Sequence, residues 1–296
     1  MTEARSRERQ GRGAPAVKRY RKLKTVLIYL GLCLIAILTL FPLFYAVASS
    51  LRSDTEIFQY AMPFTLRTLL PVRPTGNAYR EIFLKYEFYR PVFNTVVVSA
   101  AAILFGCLIN SVAAYGFACY EFRFQKPLYA LVLFSFMIPF ESITIPLYTV
   151  VDGLGWVDTF AGIVVPSIAD GLVLFLFTQF FSDFPQSLFE AARVDGATWA
   201  DSFFRILVPL SVPVFITASL MIFMTHWNSY LWPLLIARSP DIRLIQVALS
   251  DFRGAHTTEW SNLYAASTVS ALLPLLLFFP FQKYFVQGIT SSGIKG

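Results

Sequence analysis

The sequence predicts an all-α, polytopic membrane protein: six transmembrane helices, with a cytoplasmic helix-turn-helix loop between the fourth and the fifth. Three observations carry that reading. Hydrophobic residues fill 56% and charged residues only 14% of the 296 positions, where a soluble domain is about a quarter charged. Apolar runs recur at lengths that suit about 20 residues per crossing. Nine of the 24 Lys and Arg lie in the first 24 positions, directly before the first run. That placement accounts for the net charge of +6 by positive-inside orientation and sets aside nucleic-acid binding.

In chain order, the basic segment 1–24 is rich in Arg, Gly and Ser, and is expected to be disordered or to lie along the anionic cytoplasmic leaflet. The membrane domain, 25–285, holds predicted spans at 25–48, 92–117, 127–150, 160–181, 214–236 and 262–285. The first is long enough to cross the bilayer and lacks an obvious small-residue cleavage site, which argues for an anchor over a signal peptide. Their apolar runs are continuous rather than alternating, so they read as helices, whose backbone groups bond internally in lipid, and not as barrel strands. Six crossings starting inside put both termini, the 119–126 turn, the 183–213 element and the tail 286–296 in the cytoplasm. Fourteen Lys and Arg fall in these inside segments, with Lys283 at the inner end of the sixth predicted span, against nine outside. The first outside loop, 50–90, is aromatic and proline-rich, which suits a lid, a partner surface or interfacial anchoring. The second, 237–259, is shorter and polar. Cys33, Cys107 and Cys119 have no metal-ligand spacing and read as packing residues.

The longest polar interruption, 183–213, reads as two short helices. Pro185 can open the first, where its missing N–H is no loss. Gly196 ends it in a left-handed turn, and Thr198 with Asp201 has capping-box spacing for the second. Pro209 and Pro213 are expected to close that one. Such an element suits docking, or a plain amphipathic connector. Catalytic motifs are absent from the sequence: no G-x-x-x-x-G-K-[ST] phosphate loop, H-E-x-x-H, C-x-x-C or G-x-S-x-G occurs, and His226 and His256 are solitary. The chain is therefore expected to bind no cofactor and to borrow any hydrolysis from another chain.

Ionisable groups within spans are expensive, at about 2.5 to 3.5 kcal/mol when central. Glu141 lies between Pro139 and Pro146, and Asp170 lies beside Gly171. Each suits a water-filled pathway or a helix-end donor set. In the fifth run, Trp227, Asn228 and Tyr230 combine aromatic faces with polar partners, as a sugar site does. Glu141, Trp227, Asn228 and Tyr230 are the pathway candidates.

Glu190, Ala191 and Ala192, then Gly196, Ile206 and Pro209, resemble the EAA motif of the membrane subunits of bacterial ABC importers, with Val208 where that family usually has leucine. Asp195-Gly196-Ala197, the Trp227-Asn228 pair and the tail GITSSGIKG narrow the likeness to carbohydrate-importer permeases of the maltose-system second-subunit type, from about Val26 to Gly296. The resemblance implies an inner-membrane permease working by alternating access. It also implies a second homologous permease, an ABC ATPase dimer holding ATP and Mg, and an extracytoplasmic solute-binding protein. Glu190, Ala191, Ala192, Asp195, Gly196, Ile206 and Pro209 would carry coupling to the ATPase. Glycerol-3-phosphate or a related polyol is an alternative cargo, and a stand-alone secondary transporter an alternative class.

Overall fold

A computed structural model describes residues 14–254 and 258–293, with side chains described for 22–254 and 258–282. Among the described residues the only β pairing is an isolated bridge between Arg253 and Thr258. His256, and the ends 1–13 and 294–296, lie outside the described residues.

Helix α1 spans Ala14–Ser50. Its first eleven residues are helical, which departs from disorder, one of the two states expected for 1–24. APAVKRYRKLK contains no glycine and is rich in Ala, Lys, Arg and Leu, so a helix nucleated in the apolar run extends backwards through it. A folded cap follows, made of α2 (Asp54–Gln59), α3 (Leu66–Leu69) and α4 (Asn77–Leu84). The segment predicted to be the first outside loop, 50–90, is thus ordered around a buried ion pair. The Arg52 side chain, 1% exposed, donates to the Thr68 and Arg67 carbonyls at 2.8 and 3.0 Å and lies 3.8 Å from Glu56. Glu56 in turn accepts the Val72 and Arg73 N–H groups.

Helix α5 (Tyr89–Cys119) is the hub, and α9 (Gly171–Ser182) and α13 (Val212–Trp227) pack along it. Small residues allow the approach: a Cβ built on Gly106 of α5 would stand 3.1 Å from Ile222 Cδ1 of α13. Val98, Ala102 and Ala114 meet Phe177, Phe181 and Ala218 in the main core. The last helix, α16 (Trp260–Gly293), packs against α1, α4 and α13. Its length places most of the predicted tail 286–296 in helix rather than in a separate segment.

Three of the six predicted spans are not single helices. Run 127–150 is α6 (Gln125–Phe136) and α7 (Phe140–Gly153), bent by 94°. Pro139 forces the residue before it out of the helical region and cannot supply an N–H. Run 160–181 is α8 (Phe160–Val164), a 3₁₀ turn at Val165–Ser167, and α9, with a 45° bend. Run 214–236 stops at Trp227 and resumes as α14 (Leu231–Ile236). Upstream of α13, α10 (Gln186–Val194), α11 (Trp199–Asp201), a π-helical stretch at Ser202–Leu207 and α12 (Val208–Leu210) form the polar element, and α12 meets α13 at 82°. Pro213 therefore opens α13 instead of closing the second short helix, because a first-turn proline suits a helix start. Helix α15 (Ile245–Asp251) completes the list.

A second core cluster joins this cap to α13 and α16 through Phe88, Phe223, Trp227, Ile245, Phe252 and Ala265. Trp227 is only 2% exposed, stacks on Phe223 at 5.3 Å, and donates its indole N–H to the Ser270 carbonyl at 3.0 Å. This overturns its place on the pathway, since every face of the ring is occupied by the chain's own side chains and backbone. Trp227→Ala is expected to destabilise the fold by about 3 to 5 kcal/mol. The check is the yield of assembled protein, which should fall in proportion to transport. Gly171 is constrained more tightly still: a Cβ there would lie 2.0 Å from Phe136 Cδ2. Gly171→Ala should lower thermal stability by about 1 to 3 kcal/mol, and Phe136→Ala introduced beside it should recover part of that loss.

Candidate coupling and pathway sites

The polar element is a short helix held from beneath and open above. Helix α10 buries Phe189, which packs on Tyr115 of α5 at 5.9 Å, and Ala192. Its opposite face leaves Glu190, Ala191, Asp195 and Gly196 exposed. Gly196 takes φ +83°, which glycine alone adopts freely, and this turns the chain into α11. The Thr198 hydroxyl accepts the Asp201 N–H at 3.2 Å while the Asp201 carboxylate accepts the Thr198 N–H at 3.1 Å, the reciprocal cap expected from their spacing. Val194 and Trp199 flank the turn at 88% and 59% exposure. A 240 Å³ cavity lined by Tyr115, Phe189, Arg193 and Trp199 lies beneath the turn. Ile206 is half buried in the π stretch, and Pro209 is exposed. Ala192 thus roots the helix, while the other motif residues of α10 face outward.

The three helix breaks meet. Phe136, the last residue of α6, covers Gly171, the first of α9. Ser167, before the second break, has its hydroxyl 3.4 Å from His226 Nε2, just before the third. Phe140, after the first, packs edge-on against Trp232, after the third, at 5.9 Å. The half-helices α7, α8 and α14 are further tied by the Trp232 indole, which donates to the Gly162 carbonyl at 3.0 Å. At their ends away from the breaks the Ser239 N–H donates to Asp158 at 2.8 Å and holds that carboxyl below the ordinary range. A carboxylate whose pKa is depressed by folding adds stability above its unfolded pKa, and that stability disappears as pH falls through the folded value. The link therefore survives mild acid.

Broken membrane helices expose backbone groups that must find partners or line a cavity. Glu141 is exposed in the first turn of α7, directly after the 94° break. Asn228 caps α13 and spends its amide on the Met224 carbonyl at 2.8 Å, while its side chain and that of Tyr230 remain exposed. These three sit at the breaks on the chain's surface, whereas Trp227 beside them is core. Asp170 is a helix cap: it accepts the Leu172 and Val173 N–H groups at 2.8 and 3.0 Å. Asn110 belongs to none of the motifs in the sequence. Its Nδ2 donates to the Gly106 and Ile168 carbonyls at 2.7 and 2.8 Å, and its Oδ1 accepts the Asp170 N–H at 3.1 Å. A lone amide in the apolar run CLINSVAAYGF was the available signal.

Comparison with known proteins gives this arrangement a family. Residues 102–291 match the family described as binding-protein-dependent transport system inner membrane component. The arabinooligosaccharides transport system permease protein of Halalkalibacterium halodurans is 30% identical, over 91% of this chain and 96% of that protein. The lactose transport system permease protein of Rhizobium radiobacter is 29% identical over 92% and 97%. The sn-glycerol-3-phosphate transport system permease protein of Rhizobium meliloti is 29% identical over 92% and 98%. A solved bacterial ABC transporter involved in the import of the acidic polysaccharide alginate shares the fold, with a TM-score of 0.77 at 22% identity, over 90% of this chain and 98% of that one. The chain belongs to the binding-protein-dependent transport system inner membrane component family and is a multi-pass permease of the inner membrane.

Proposed function

We propose that this chain is the permease subunit of an ATP-driven importer of a carbohydrate, and that α10 with the Gly196 turn is its coupling element. The observation that carries the coupling role is the two-sidedness of α10. Phe189 anchors it to Tyr115 of α5 and Ala192 is buried on the same side, while Glu190, Ala191 and Gly196 are left exposed for a partner. That partner is an ABC ATPase dimer, which holds the ATP and Mg. A second permease completes the pathway, and a solute-binding protein delivers cargo to the outside cap. Closure of the ATPases favours one orientation of α10, and the permease shifts only by the difference in affinity for its two states. Glu141, Asn228 and Tyr230, exposed beside the breaks, then face the route.

The sugar reading rests on relatives whose names specify arabinooligosaccharides and lactose. The relative named for sn-glycerol-3-phosphate keeps a polyol phosphate as the second reading. Glu141 at the break favours an uncharged ligand. Identifying the ligand of the cognate binding protein decides between them.

Gly196→Pro and Glu190→Lys are expected to leave membrane insertion intact and to uncouple ATP hydrolysis from uptake by roughly tenfold or more, the scale of a 1 to 3 kcal/mol coupling energy. Normal uptake in both would end the coupling role. Both termini are proposed to be cytoplasmic, so a Ser292→Cys thiol should resist an impermeant reagent added to whole cells and react in inverted vesicles. Labelling from outside intact cells would reverse the topology.

A further inference from the structure

Helix α9 links the coupling element to the second helix break. Three residues separate its C-terminal end, Ser182, from the start of α10, and its N-terminal end begins at the 45° bend. A change imposed on α10 reaches the outer half-helix α8 only if that bend holds its angle. Asn110, 3% exposed, grips both sides of it. Its amide N–H group donates to Ile168 before α9, its carbonyl accepts the N–H of Asp170 at the cap, and its own helix supplies Gly106 as a further acceptor. Asp170 in turn holds the first turn of α9. Gly171 seated under Phe136 prevents the bend from shifting sideways.

We propose that Asn110 is a positioning residue for coupling: by cross-bonding the two sides of the break to α5, it makes α8 follow α9 when the coupling element moves. The inference rests on the ATP-coupled reading above. Without Asn110 the bend becomes a loose joint, so the inner half can adopt its ATP-bound arrangement while the outer half remains indifferent. In two-state terms the inner and outer halves lose their coupling free energy, and neither half loses its own fold.

The test uses the whole transporter, purified through a tag on this chain, with Cys33→Ser to remove the exposed native thiol and Val165→Cys as a reporter beyond the break. Maleimide labelling of position 165 is compared without nucleotide and after trapping with ATP and vanadate. In the parent, trapping changes the labelling rate; no change there would defeat the ATP-coupled reading itself. With Asn110→Ala, assembled yield and ATP hydrolysis should stay within about twofold of the parent, while the trapping-dependent change shrinks about fivefold or more. Asn110→Gln, which keeps both polar functions, should restore part of the response. An undiminished response in Asn110→Ala would overturn the proposal. So would a loss of yield that accounts for the loss of response, because Asn110 would then be a packing residue only.

Discussion

The bilayer offers no water to a backbone group that leaves its helix, and each break in this chain is shaped by that constraint. Three of the six predicted spans are interrupted in mid-sequence. At the second break, the freed groups go to Asn110 and Asp170; at the third, the Asn228 amide returns to the Met224 carbonyl of its own helix. Each such bond in a membrane contributes about 0.6 to 2 kcal/mol, so a break is held by a few specific side chains and not by general greasiness. The breaks lie in contact because satisfied polar groups and close-packed rings, such as Phe136 over Gly171, must share the same dry space.

The fold class was plain in the sequence because hydropathy reports burial in lipid directly, and the described helices hold three to six candidate spans. The breaks were half legible. Pro139 announces the first, but residues 168–170 and 228–230 contain no proline, and their kinks follow from tertiary bonds that a linear reading cannot supply. The Gly196 turn and the Thr198 cap were readable because they depend on neighbours within three residues. Trp227 was misplaced for the opposite reason. Its partners, Phe223 and Ser270, are four and 43 residues away, and an aromatic beside an amide looks the same whether it faces a sugar or a neighbouring helix.

The architecture separates two kinds of packing. The long, unbroken α1, α5 and α16 give the chain a fixed frame, with α5 at its centre. The half-helices α7, α8 and α14 are tied to one another through Phe140 on Trp232 and Trp232 on Gly162, and α8 also packs on α5. A transporter that exposes its route alternately to two sides needs such a division. One part must keep its shape while another changes its neighbours.

The π-helical stretch Ser202–Leu207 sits between the Gly196 turn and α13. Pro209 has no N–H for the Arg205 carbonyl and crowds it, and the widened turn accommodates the ring, with the Val208 N–H reaching back to Phe203. A widened turn contains one residue more than an ordinary helical turn, so it acts as a phase setting. Deleting a single position from this stretch would return it to α geometry and rotate everything upstream by about 100° about the helix axis. Trp199 and the face of α10 would then point away from their present direction while every helix remained intact. The chain's length at this point, and not only its composition, determines which way the exposed face of α10 looks.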